Sequence, residues 1–235
     1  MRSATPLLPR QLAEGLLAYF AQHWQARRLP WRAFDCPGDL RYLAEGLLLR
    51  TRADAVAKRW SNMLGDLVAA EDWLELPLAE RIERAGLLGL GREKRLIVDR
   101  IAMAVVTGRT DPNVWLRTVE IDGERNTAWE ICRLLAGGVC RPVDKGIERV
   151  AARYGAEPGD LSGAVAAGAR FLELSSYDDP GPDHLPTPYR AVQALMDVAE
   201  GPCGGRKPPR CGDCPLVRDC RRASFGSRKA QGRRS

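Results

Sequence analysis

Apolar residues along this chain recur at intervals of three and four. Leu12, Leu16, Leu17, Phe20 and Trp24 follow that spacing near the N-terminus. Leu43, Leu47, Leu48, Val56 and Trp60 follow it next, then Leu96, Ile97, Ile101 and Val105, then Ile131, Leu134 and Leu135. This is the period of amphipathic helices. No stretch shows the sustained alternation and β-branched enrichment of a strand. Breakers fall at Pro30, Pro37-Gly38, Pro77, Gly86, Gly89, Gly91, Asp111-Pro112, Gly137-Gly138, Pro158-Gly159 and Pro180-Gly181-Pro182. They predict an all-α chain of about ten helices of ordinary length. The last helix is expected at about 189–200, after a proline-rich loop over 176–188. Residues 223–235 read as disordered. There is no internal repeat and no coiled-coil heptad.

Composition narrows the class. The chain has 235 residues, 45% hydrophobic and 28% charged, as in a soluble globular protein of one large or two small domains. No apolar run reaches the roughly 18 residues of a membrane span, and the first residues lack a signal peptide's apolar stretch. A cytoplasmic, nucleoid-associated protein is expected. There are 2 histidines, His23 and His184, which argues against a His-based triad or a His-rich metal site. The net charge is +6, but its location matters more than its size. Residues 221–235 carry Arg221, Arg222, Arg228, Lys229, Arg233 and Arg234 with no acid, so the remaining body is neutral overall. A basic tail on a near-neutral body suits sequence-independent contact with phosphate.

Seven cysteines in a cytoplasmic chain read as ligands or buried thiols rather than disulfides. Cys203, Cys211, Cys214 and Cys220 fall as C-x7-C-x2-C-x5-C. Zinc ribbons bring two C-x2-C knuckles from separate hairpins, whereas this loop has one. An iron–sulfur cluster accepts four cysteines from one uneven loop. Iron–sulfur is therefore favoured, with zinc and free thiols as the alternatives.

That cysteine run resembles the [4Fe-4S] loop, C-x6-C-x2-C-x5-C, of the endonuclease III/MutY branch of the helix-hairpin-helix DNA glycosylases. The first spacer here is one residue longer, and extra loop length is cheap. The resemblance spans about residues 11–222. It implies a six-helix lobe over 30–138 and an iron–sulfur helical lobe joining 1–29 to 139–222. The active site would lie in the cleft between them. In the family the cluster shapes a basic loop that touches DNA phosphate. Arg206, Lys207, Arg210 and Arg218 fit that role; a merely solvated basic surface is the alternative.

Residues 29–60 resemble the opening of MutY-type adenine glycosylases and of Mig-type mismatch glycosylases. The run from Glu45 to Thr51 ends in Arg-Thr, as in the Mig type. Glu45 matches the catalytic glutamate. Its place beside Leu43, Leu48 and Leu49 would raise its pKa and suit it to donate a proton. Leu49 and Arg50 match the wedge and orphan-base reader needed once a nucleotide is flipped out. Tyr42 or Trp31 would stack on that base, core packing being the alternative for both.

The run RPVDKGIERV matches the family's essential-aspartate motif and assigns Asp144, which on position alone could equally be a helix N-cap. A carboxylate there stabilises positive charge on the sugar as the glycosidic bond breaks. At the offset where bifunctional members carry a Schiff-base lysine, this chain has Asn126, and an amide is no amine nucleophile. The resemblance therefore implies a monofunctional enzyme with little or no strand nicking, and the neighbouring Lys145 is the amine that would supply any weak lyase activity. The hairpin before Asn126 keeps Gly123 and Arg125 but has lost its second glycine. An earlier Gly89-Leu90-Gly91 turn, followed by Arg92, offers a phosphate grip or a plain helix C-cap. Expected partners are double-stranded DNA with a mismatched or damaged base, with the protein a monomer and no membrane contact. Thymine or uracil opposite guanine is favoured. Adenine removal and an inert iron–sulfur DNA-binding protein are the alternatives.

Overall fold

The computed structural model describes residues 8–25, 38–43, 64, 66–87, 92–108, 127–175, 177–178, 185–204, 208–218 and 220–221; side chains at 24–25, 87, 92–97 and 127–129 lie outside the description. Among the described residues all regular structure is helical. In chain order the helices are α1 (Pro9–Gln25), α2 (Ala70–Glu75), α3 (Leu78–Leu87), α4 (Arg92–Gly108), α5 (Thr127–Leu135), α6 (Lys145–Tyr154), α7 (Pro158–Leu174) and α8 (Thr187–Glu200), with a short 3-10 turn at Cys211–Asp213. None is long and apolar enough to cross a membrane. The final helix starts two residues before the expected 189, because Pro188 sits in its first turn, where proline's fixed φ suits a helix and its missing N–H is no loss.

The chain divides into two compact units, residues 30–136 and residues 1–29 with 137–235. In the first unit Asp99 of α4 ties three helices together. It accepts from the Trp73 indole of α2 at 2.8 Å and pairs with Arg81 of α3 at 3.2 Å. Trp73 is wholly buried, so its polar N–H needs this partner. Val98, Ile101, Ala102 and Val105 of α4 are buried, as are Ile131, Leu134 and Leu135 of α5. The helical spacing read from the sequence therefore corresponds to a core-facing stripe.

The second unit joins the N-terminal helix to the C-terminal ones. Leu12, Leu16, Leu17 and Phe20 of α1 are buried, as the spacing predicts. Helices α1, α7 and α8 pack on one another, and α6 packs on α7 and α8. Every residue of α8 from Thr187 to Ala199 is buried, so it is the axial helix of the unit. Gly168 lets α1 and α7 meet backbone to backbone. A Cβ there would stand 2.1 Å from the Pro9 carbonyl oxygen and 2.4 Å from its carbon. Backbone cannot swing aside as a side chain can, so Gly168→Ala is expected to destabilise this unit by about 2 kcal/mol or more. A urea midpoint equal to that of the unmodified protein would refute the close approach.

Candidate functional site

The site of interest is organised by α6. Asp144 precedes it in extended conformation, with φ −132° and ψ 175°, and its Oδ1 accepts from the Ile147 backbone N–H at 2.7 Å. The residue is therefore an N-cap, and it is half-buried. Its Oδ2 makes no hydrogen bond among the described residues. The cap and the candidate catalytic role are compatible, because one oxygen serves each. Lys145 follows and is exposed.

Gly146 brings this helix start against α8. A Cβ at that position would lie 2.9 Å from the Ala199 Cβ and 3.1 Å from Asp144 Oδ1. A side chain would push the helix off α8 and crowd the carboxylate. One turn on, Arg149 donates to the Ala199 carbonyl at 2.8 Å. That carbonyl lies in the last turn of α8, where free C=O groups draw a cation. The far end of α6 stops at Gly155, whose φ of 94° is left-handed, the C-terminal signature that glycine favours.

Arg153, in the last turn of α6, holds the cysteine loop at both ends. Its Nη1 donates to the Cys203 carbonyl at 2.6 Å and to Cys203 Sγ at 3.1 Å. Its own carbonyl accepts from Cys220 Sγ at 3.4 Å. Between them the loop folds on itself. The Arg210 N–H donates to Pro202 O at 2.8 Å, closing the longer first spacer, and Cys214 N–H donates to Cys211 O at 3.3 Å.

Cys203, Cys211, Cys214 and Cys220 all line one narrow cavity of about 20 Å3, walled by Pro202, Pro209, Val217 and Arg153. Burial pushes the Cys214 thiol up to about 11; the Leu216 backbone N–H opposes this, and the other three sulfurs add to it. Such a thiol stays protonated at neutral pH unless a metal takes the proton's place. Among the described residues, however, no three His, Cys, Asp or Glu side chains gather tightly enough to hold a metal ion. The two observations are compatible. The sulfurs share a cavity without closing on a single-ion point among the described residues.

The remaining candidates divide by whether the description reaches them. Tyr42 is buried in its unit, with Arg41 Nη2 donating to its hydroxyl at 3.4 Å and its carbonyl facing Cys132 Sγ at 3.6 Å. Arg210 is exposed on the cysteine loop and pairs with Asp213 at 3.7 Å. Arg92 opens α4, but its side chain lies outside the description. Glu45, Leu49, Arg50, Asn126, Trp31, Gly89, Gly91, Gly123, Arg125, Arg206 and Lys207 lie outside the described residues. Sequence reasoning missed Gly146, Arg149 and Arg153. The available signal was the spacing: Arg149 and Arg153 are four apart, so they share a face of the helix that Asp144 begins.

The fold is that of the helix-hairpin-helix DNA glycosylases. Two solved structures carry the comparison. A thermostable thymine-DNA glycosylase is similar with a TM-score of 0.59 and 20% identity, over 91% of this chain and 97% of that one. Endonuclease III, trapped as a covalent intermediate with DNA, is similar with a TM-score of 0.58 and 16% identity, over 94% of this chain and 100% of that one. At such identities the likeness is one of fold. No family model matches the sequence, and no curated protein does.

Arg153→Ala removes both bonds to Cys203 and leaves a buried carbonyl without its charged donor. A loss of about 1–3 kcal/mol is expected, with faster amide exchange at Cys203 and Arg210. Exchange unchanged at both amides would show that the loop is held by something else.

Proposed function

We propose that this chain is a monofunctional DNA glycosylase that removes a mismatched base, with thymine or uracil opposite guanine as the favoured substrate. One observation carries the reading: in a chain with the glycosylase fold, the aspartate of the resembling motif begins a helix fixed at both ends. It keeps one carboxylate oxygen free of its cap bond among the described residues.

The chemistry assigned to Asp144 is electrostatic. As the bond between base and deoxyribose breaks, its electron pair leaves with the base and positive charge builds on the sugar. An ionised carboxylate close to that charge lowers the barrier. Water then bonds to the sugar carbon and releases a proton, while Glu45 supplies a proton to the departing base. Asn126 provides no amine for a Schiff base, so the product is an abasic site with an intact strand. Leu49 and Arg50 are assigned to the gap left by the flipped nucleotide, and the Arg-Thr end of their segment supports the thymine or uracil preference. Phosphate contacts from Gly89, Gly91, Arg92, Gly123, Arg125, Arg206, Lys207 and Arg210 supply affinity without sequence choice.

The four cysteines are assigned to a [4Fe-4S] cluster, which when bound supplies a covalent brace for the loop. This chain's part is to present four cysteines around one cavity and to tether their loop through Arg153. The purified holoprotein is expected to absorb broadly in the blue, and Cys203→Ser is expected to lose that band. A colourless protein holding stoichiometric zinc would refute the cluster.

The activity is tested on duplexes holding T·G, U·G, A·G, A·8-oxoguanine and hypoxanthine, each with and without alkali. T·G or U·G strands should break only after alkali. Nicking of equal extent without alkali would sink the role of Asn126, and no product on any duplex would leave an inert DNA-binding protein. Asp144→Asn and Asp144→Ala separate cap from catalysis. Asparagine caps helices as well as aspartate, whereas alanine loses about 1 kcal/mol of stability. Both variants are expected to be inactive and only the alanine variant destabilised; an active asparagine variant would remove the aspartate from the mechanism.

A further inference from the structure

Asp144 carries its carboxylate at the start of α6. Oδ1 accepts from the Ile147 N–H at 2.7 Å, so the side chain is bonded to the helix that it caps. A carboxylate bonded in this way moves with the first turn of the helix. Whatever holds that turn in place therefore holds the carboxylate.

Ala199, in the last turn of α8, makes the contact that holds it. Ala199 is only 1% exposed. A Cβ built on Gly146 would stand 2.9 Å from the Ala199 Cβ, whereas carbon atoms in contact keep about 3.5–4.0 Å apart. The α6 backbone thus rests on the Ala199 methyl with no room for one more carbon. The same residue holds α6 from the other direction, since its carbonyl accepts from Arg149 Nη2 at 2.8 Å. The methyl stops α6 from coming closer, and the bond stops it from drawing away.

Ala199 is suited to be that stop. A methyl has no rotamer to change, so it yields only if α8 yields. Two backbone bonds span the residue and close the end of that helix. The Gly201 N–H donates to the Asp197 carbonyl at 2.7 Å, and the Cys203 N–H donates to the Val198 carbonyl at 2.8 Å.

We propose that Ala199 is a positioning residue: through its contact with Gly146 it sets where the Asp144 carboxylate stands against the sugar. The inference rests on the glycosylase reading of Asp144. It adds to that reading a residue with no functional group, which reaches the reaction only through the backbone of α6.

A double-mutant cycle tests it. Gly146→Ala alone forces α6 and α8 apart by roughly 1 Å, and a misplacement of that size should lower kcat about a hundredfold. Ala199→Gly removes the opposing methyl, so Gly146→Ala made in that background should cost less than about tenfold. Affinity for a T·G duplex should differ little among these variants, because the contact is buried between helices. Amide exchange at Ile147 reports the cap bond without any reaction. It should be faster in Gly146→Ala and slow again when Ala199→Gly is added. The proposal is overturned if Gly146→Ala keeps its kcat and loses only stability, if duplex affinity falls in step with kcat, or if Ala199→Gly restores neither kcat nor exchange. An unmodified chain that removes no base from any duplex would remove the glycosylase reading instead. The exchange pattern then decides the role of Ala199 by itself, and an unchanged Ile147 amide in Gly146→Ala would overturn it.

Discussion

The approach of α6 to α8 at Gly146 is the constraint on which the rest of the site depends. Only a residue without a side chain lets the start of α6 sit against Ala199 while Asp144 keeps room to cap it. Once that contact is made, Arg149 reaches the Ala199 carbonyl and Arg153 reaches Cys203. A helix of ten residues is a rod of about 15 Å, so the carboxylate at one end and the cysteine loop at the other are held at a set separation. The loop follows directly on α8, so both ends of α6 are referred to the same axial helix.

That axial helix is unusual in composition. It is buried on every side yet carries Thr187, Arg190, Gln193 and Asp197. A polar group out of water needs a partner, and Arg190 finds one in the Thr187 hydroxyl at 3.1 Å. Such a helix is positioned by directed bonds as well as by apolar contact. Directed bonds fix rotation about the helix axis in a way that contact between leucines does not. A helix that must orient both an aspartate-bearing neighbour and a cysteine loop benefits from that fixed rotation.

Much of this was legible in advance, and the reasons are local. The helical period of Leu12, Leu16, Leu17 and Phe20 marks a buried face wherever the partner lies, and those residues are buried. The cysteine spacing marked four thiols on one loop, because residues so close in sequence can border one cavity without help from the distant chain, and they do. The motif around Asp144 marked a helix start, and the cap bond to Ile147 is there. The roles of Gly146, Arg153 and Gly168 were not legible. Glycine in a helix reads as a weak former, and arginine near a helix end reads as solvated. Only the neighbour reveals that one makes room and the other carries a bond.

The sequence by itself determined that this chain has a helical fold, that its surplus charge sits in a tail, that four cysteines share one short loop and that one aspartate begins a helix. Each of these depends on residues within a few turns of one another. The tertiary structure decided that α1 packs with helices some 150 residues later and that Arg153 ties the cysteine loop to the aspartate's helix. Those relations join segments distant along the chain. Their geometry is set by close packing around α8, where the position of each side chain depends on all its neighbours at once.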